Sequence, residues 1–200
     1  MTTKFTGAIK SSVLNRGIPP DSFLVELILW GRSAPDSLFE LNAHADIYSK
    51  IKSELGPWES LLHRKAAMLE VLRVLAGFES SWDWAEGVDT SRLGADTPEN
   101  SEAGAWQVSY DARRLHSSLA EMLSLKGIRN GLKFQQAMKF DHPFAMSFIA
   151  TLLRYNTKHN GPLYKGSERV IIRKSLRGPE HSIYPWLNTK AVAQFMDFLD

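Results

Sequence analysis

The chain has 200 residues, 44% of them hydrophobic and 23% charged, a balance that fits one globular domain with a full core. Its 24 basic and 22 acidic side chains leave a net charge of +2, too small to argue for a nucleic-acid partner. It contains no cysteine, which excludes a disulfide framework and a thiolate zinc site.

Taken in chain order, the first ten residues, Met1 to Lys10, lack the apolar core of a secretory leader. No apolar run approaches the ~18 residues of a membrane span. The expectation is a protein made in the cytoplasm, which would reach another compartment by a route that needs no such leader. Pro19-Pro20-Asp21-Ser22 reads as a helix start, with an apolar helix from Phe23 to Trp30 that ends near Gly31. Pro35-Asp36-Ser37 opens a second helical stretch that breaks near Asn42 and resumes through Lys52, and Gly56-Pro57 ends it. A long third helix is predicted from about Trp58 to Ser80. Leu62, Ala66, Leu69, Leu72, Ala76 and Glu79 recur on it at steps of three or four, so they share one face that should be buried.

From Trp82 to Ala103 the periodicity dissolves. Glu86, Asp89, Asp96, Glu99 and Glu102 stand there among Gly, Pro, Thr and Ser, which predicts an acidic loop with at most a short hairpin. Helix returns from about Asp111 to Leu125 and again from Leu132 to Phe140. Asp141-His142-Pro143 opens another, with Phe148, Leu152 and Tyr155 on one face, and Asn160-Gly161-Pro162 closes it. A basic stretch from Lys165 to Arg177 has helical spacing over part of its length and reads as a solvated helix face, or as an attractor of anionic polymer. Asn188-Thr189 caps a last helix through Phe198. No internal repeat is present, and the fold class expected is mainly α, in a single domain over residues 1–200.

Glu79 is the residue that points to chemistry. A carboxyl group at the end of a buried stripe loses water, and the negative pole of the helix dipole penalises its anion further. Both effects raise its pKa, and a carboxylic acid still protonated near neutral pH is a candidate general acid. The alternative is a buried glutamate paired with a nearby Arg or Lys. Six histidines are scattered without an HxH or HExxH pattern, so neither a metal site nor a cofactor is expected.

Three segments occur in a telling order: Glu79-Ser80-Ser81, then Gly104-Ala105-Trp106-Gln107-Val108-Ser109, then Ala150-Thr151-Leu152-Leu153-Arg154-Tyr155-Asn156. In this order they resemble the lysozyme-like superfamily, in particular goose-type lysozymes and soluble lytic transglycosylases. The resemblance covers about residues 62–161, with residues 1–57 as a helical extension. Ala105-Trp106 stands where those enzymes usually carry two aliphatic residues, and Thr157-Lys158-His159-Asn160-Gly161 replaces their glycine-rich continuation. The fold implied is lysozyme-like α+β, with the acidic loop or a small hairpin lining a glycan cleft.

The activity implied is cleavage of a β-1,4-linked amino-sugar polymer, foremost peptidoglycan, by muramidase or N-acetylglucosaminidase chemistry. Chitin or chitosan cleavage and a non-catalytic glycan-binding module are the alternatives. Glu79 would protonate the leaving oxygen. Ser80, Trp82, Gly104, Gln107 and Asn156 would bind substrate, and Tyr155 would steady charge or orient water. Tyr155 can equally be a core aromatic, Gln107 a loop residue bonded to backbone, and Trp82, Trp84 and Trp106 ordinary core. An inverting hydrolase needs a second carboxylate about 6.5–9.5 Å from the acid, whereas a lytic transglycosylase forming 1,6-anhydro ends needs none. Asp89 is the first choice, Glu102 the second, with Asp96 and Glu99 behind them. The lysozyme-like core without leader or cysteine also resembles the peptidoglycan-cleaving antibacterial effectors of type VI secretion. That resemblance implies action in a target cell's periplasm and an exported immunity protein over the cleft near Glu79.

Overall fold

A computed structural model describes residues 4–41, 46–87, 97–155, 170–172, 175–177 and 182–200. Its architecture is mainly helical. Among the described residues seven α-helices run in the order α1 (Asp21–Ser33), α2 (Ile47–Leu55), α3 (Leu61–Ser80), α4 (Ser117–Leu125), α5 (Gly131–Phe140), α6 (His142–Tyr155) and α7 (Thr189–Leu199). Two small antiparallel hairpins accompany them. Strands β1 (Glu102–Ala103) and β2 (Val108–Ser109) pair Glu102 with Ser109 and Ala103 with Val108. Strands β3 (Val170–Ile172) and β4 (Ser175–Arg177) pair Val170 with Arg177.

The helix starts follow local chemistry. Asp46 and Ser49 form a reciprocal capping box on α2, and the side chains of Ser60, Asn130 and Asn188 accept N-terminal amides of α3, α5 and α7. Helix α1 continues through Gly31 to Ser33 rather than ending at the glycine, because Gly31 lies against Leu69 of α3 and is held by packing. The stretch expected as one helix from Asp111 to Leu125 is broken. Residues Tyr110–Leu115 wind as 3-10 helix, and His116 adopts extended backbone to cap α4. The basic stretch corrects a second expectation. Residues 170–172 and 175–177 form a hairpin and not a helix face; Val170, Ile171 and Ile172 are β-branched and favour extended backbone. The predicted helix stop at Asn160-Gly161-Pro162 lies outside the described residues.

Helix α3 is the axis of the molecule. Every residue from Ala66 to Gly77 is buried, so the helix has no solvent face over that span. The expected single buried stripe is therefore too narrow a description: Val71 and Val74 lie off that stripe and are as buried as Leu69 and Leu72. Helices α1, α6 and α7 pack around it. The indole N–H of Trp30 on α1 donates to Ser147 Oγ on α6 at 2.9 Å. The N-terminal segment is part of this core, since Ile9, Val13, Phe23 and Leu24 are at most 1% exposed.

Glu70 and Arg73, one helical turn apart on α3, are fully buried. The guanidinium holds the carboxylate through Nε at 2.7 Å and Nη2 at 2.8 Å. Arg73 Nη1 donates to the Ser11 carbonyl at 2.8 Å, and Glu70 Oε1 accepts the Asn188 amide at 2.9 Å. One ion pair thus pins the N-terminal segment and the start of α7 to the central helix. Burial pushes the Glu70 carboxyl upward, opposed by Arg73 and the Asn188 amide. Removing one partner leaves a buried charge alone. Arg73→Met should cost about 3–5 kcal/mol of stability, and adding Glu70→Leu to it should recover much of that loss. Denaturant unfolding of the single and double variants checks the prediction.

Candidate functional site

The site is built where α3 ends. Phe78 and Glu79 are partly exposed after the sealed span from Ala66 to Gly77, so the acid stands in the last turn, where the helix leaves the core. The chain then turns sharply. Ser81 and Trp82 both take left-handed backbone, with φ of 59° and 63°, which costs energy for side chains other than glycine. Their amides return to Gly77 O and Ala76 O, each at 3.2 Å. Trp82 folds back on the helix. Its ring lies where a side chain at Gly77 would be, 2.4 Å from the position of a Cβ, and its indole N–H donates to Arg73 O at 2.8 Å.

Trp82 is 3% exposed, which corrects its expected role: the ring is core and cannot stack on a sugar. Ser80 is also buried. Its hydroxyl proton faces Ala105 O at 2.8 Å and Ala76 O at 3.1 Å, and its oxygen accepts the Asp83 amide at 3.1 Å. A hydroxyl so engaged does not contact substrate, and its work is to tie the end of α3 to the turn between β1 and β2.

That turn is Gly104-Ala105-Trp106-Gln107, closed by the Gln107 amide on Gly104 O at 3.1 Å. Gly104 has φ +74°, and a Cβ there would lie 2.7 Å from the Met138 carbonyl. Both facts require glycine and let the turn press against α5. Trp106 is 2% exposed and donates its indole N–H to Leu72 O at 2.9 Å. Gln107, at φ 45°, is partly exposed and donates Nε2 to Gly104 O at 2.9 Å, so its amide nitrogen serves the turn. Glu102 on β1 is partly exposed while its neighbour Ala103 is buried, which sets the carboxylate on the outward side of the hairpin. Asp89, Asp96 and Asn156 lie outside the described residues.

Beyond β2 the chain passes through Tyr110–Leu115 to His116, whose ring stacks on Tyr155 at 3.7 Å and 2°. Tyr155 ends α6 and is 40% exposed, so it is not a core aromatic. Arg154 beside it is buried, donating to Leu38 O and lying 3.7 Å from Asp46 Oδ2. This anchors the last turn of α6 against the start of α2. His116 Nδ1 accepts the Ser118 amide, which leaves Nε2 to carry the proton of the neutral ring. The structure therefore ties the end of α3, through Ser80 next to Glu79, to the turn of the hairpin that starts at Glu102, and connects that hairpin through the 3-10 segment to a His116–Tyr155 stack at the surface.

Sequence reasoning missed His116 and also the stack of Trp84 on His142, 3.8 Å apart and 6° from parallel. Both histidines are far in sequence from their aromatic partners. The only local signal is that each precedes a helix by a residue or opens one. Among the described residues no group of three His, Asp or Glu side chains could hold a metal ion, and no helix is long and apolar enough to cross a membrane. No family model matches the chain, and neither a curated protein nor a solved structure does.

Gly104 gives the sharpest structural prediction. Gly104→Ala forces both a left-handed alanine and a clash with backbone, and should lower stability by about 2–4 kcal/mol. Thermal unfolding would then shift down by several degrees, whereas a shift within error would show that the turn can leave α5 freely.

Proposed function

We propose that the protein is a glycoside hydrolase of lysozyme-like type that cuts the β-1,4-linked backbone of peptidoglycan, with Glu79 as general acid. The observation that carries the reading is the position of this carboxyl group. It stands in the last turn of a helix otherwise buried on all sides, and the next residue is bonded directly to the hairpin turn that bears Gln107. A rigid axis with a partly exposed acid at its end suits proton transfer to a glycosidic oxygen, which demands a fixed donor.

Glu102 on the same hairpin is the second carboxylate of this proposal, in the role of base for an attacking water. Tyr155 and His116 supply an exposed aromatic wall, the kind of surface on which a pyranose ring packs. Lytic transglycosylase chemistry needs no second carboxylate, and the products tell the two apart. The place of action we propose is the periplasm of a target cell, with an immunity protein covering the cleft near Glu79.

Glu79→Gln keeps the shape and removes the proton. Hydrolysis of purified sacculi should fall by at least about 10²-fold with the melting temperature unchanged within a few degrees. Near-wild-type clearing by the folded variant would sink the proposal. Glu102→Gln should be nearly as damaging if the enzyme is a hydrolase. Mass spectrometry of released muropeptides should then find reducing ends; 1,6-anhydro ends with full Glu102→Gln activity would assign the transglycosylase reaction instead. Expression with a periplasmic leader should arrest growth, and expression in the cytoplasm should not.

A further inference from the structure

We propose that the outer face of α5, with the turn that joins it to α4, is a docking site for an acidic amphipathic helix of a partner protein. The proposal stands apart from the glycosidase reading, since no residue of that site takes part in it.

Helix α5 has two opposed faces. Phe134 and Met138 point inward: Phe134 packs on Tyr110 and Phe148, and the Met138 carbonyl lies against the hairpin turn at Gly104. Leu132, Gln136 and Phe140 recur at steps of four on the other side and are exposed. Leu132 is 60% exposed and Phe140 76%, while Leu125, which ends α4, is 83% exposed. Among the described residues, Leu125 and Phe140 are the two most exposed large apolar side chains. Scattered singly, such residues are ordinary surface. Here they gather on one groove: Phe140 lines it, and Leu125 and Leu132 directly precede Lys126 and Lys133, which also line it.

The groove is open and holds about 530 Å³. Buried Ile128 and partly buried Ala137 belong to its lining. Local chemistry fixes both of its sides. Gly127 takes φ +69°, its amide bonds Ser124 O at 3.0 Å, and the Ile128 amide bonds Leu123 O at 2.9 Å. This pair of bonds ends a helix on a left-handed glycine and sets the turn rigidly. Across from it, Asn130 Oδ1 accepts the Lys133 amide at 2.9 Å and starts α5. A surface shaped before anything docks loses little freedom on binding.

Charge selects the occupant. From Met122 to Phe140 the chain carries Lys126, Arg129, Lys133 and Lys139 and no acid, in a protein whose net charge is only +2. Asp141 lines the groove too, but Lys126 holds it at 2.5 Å. Arg129 and Lys133 are exposed and enter no ion pair among the described residues. The fitting partner therefore brings carboxylates to Arg129 and Lys133 and apolar side chains to Phe140 and the groove. A nucleic acid would satisfy the cations and leave the apolar side chains wet. An anionic membrane is flat, does not fill a groove, and would meet the Asp141 carboxylate. The lining belongs to α5 and the turns at its ends, so an extended peptide finds no strand edge to pair with. A helix with apolar residues at steps of three and four fits instead.

The test uses the whole protein and a fluorescein-labelled synthetic helix of about 18 residues, with leucine on one face and glutamate on the other. A counterpart with lysine for glutamate is the control. Fluorescence anisotropy at about 50 mM salt should give the acidic peptide a dissociation constant below about 100 μM and the lysine peptide one at least about tenfold higher. Raising the salt to about 0.5 M should weaken the acidic peptide several-fold. Phe140→Ser and the double variant Arg129→Glu with Lys133→Glu should each weaken it by about tenfold, with the melting temperature unchanged because these side chains are exposed. The double variant should also prefer the lysine peptide, an inversion that a merely structural role would not produce. It keeps the test alive if Phe140→Ser misfolds. No measurable binding of the acidic peptide to the wild type overturns the proposal. So does binding that both variants leave unchanged, which would place the peptide elsewhere. Vesicles with about one third phosphatidylglycerol that capture the wild type but not Phe140→Ser would assign the face to a membrane and overturn it. Sedimentation that shows a wild-type dimer lost in Phe140→Ser would assign the face to a second copy, with the same consequence. Clearing of sacculi does not enter these measurements, so failure of the glycosidase reading leaves the docking face standing.

Discussion

The Glu70–Arg73 pair is the constraint on which the rest of the molecule depends. A charge buried at 0% exposure is tolerated only when each polar atom has a partner, and here the partners come from both ends of the chain. The Ser11 carbonyl and the Asn188 amide are 177 residues apart in sequence, yet both bond to one helical turn of α3. Helix α7 then lies along α3, and the N-terminal segment lies against α7. The central helix can be enclosed on all sides because its only charges in that span satisfy each other and cap their neighbours. The carboxyl proposed for chemistry is a different one. Glu79 lies nine residues further on, past the seal.

The transition from buried axis to site is made by backbone strain and small residues. Two consecutive left-handed residues, Ser81 and Trp82, reverse the chain within one turn, and Gln107 adopts the same region on the facing hairpin. Such conformations persist where the surroundings over-determine them. The surroundings here are the buried Trp82 ring seated on Gly77, the Ser80 hydroxyl bonded to Ala105, and Gly104 against the Met138 carbonyl. Three of the residues expected to touch substrate, Ser80, Trp82 and Gly104, are thus part of the buried scaffold. Glu79, Glu102 and Gln107 are partly exposed, and Tyr155 is exposed.

The two histidine stacks are built alike and bonded differently. His116 accepts an amide at Nδ1 and lies on an exposed tyrosine, so its ring is an apolar extension of the Tyr155 face. His142 meets acceptors at both nitrogens and lies on a tryptophan inside an aromatic cluster.

What the sequence by itself determined is the local layer. The helix start at Asn188 was legible because capping acts over three residues, and the long apolar run of α3 announced a central helix. Of the segments singled out, Ser80 and the Gly104–Gln107 turn do meet at one end of that helix, through the Ser80 hydroxyl and the Ala105 carbonyl. The failures have one cause. Periodicity reports how many faces of a helix are apolar, but a helix enclosed on every side hides its charged pair, Glu70 and Arg73, among them. Likewise Ser80 and Trp82 carry chemistry-bearing groups, and nothing in their own neighbourhood reveals that Ala105 and Arg73 engage those groups. The basic stretch was read as a helix from charge spacing, where β-branched backbone preference at 170–172 decided for strand. Tertiary structure alone decided which polar groups are used internally and which face solvent, because that depends on contacts between residues tens of positions apart, to which spacing along the chain is blind.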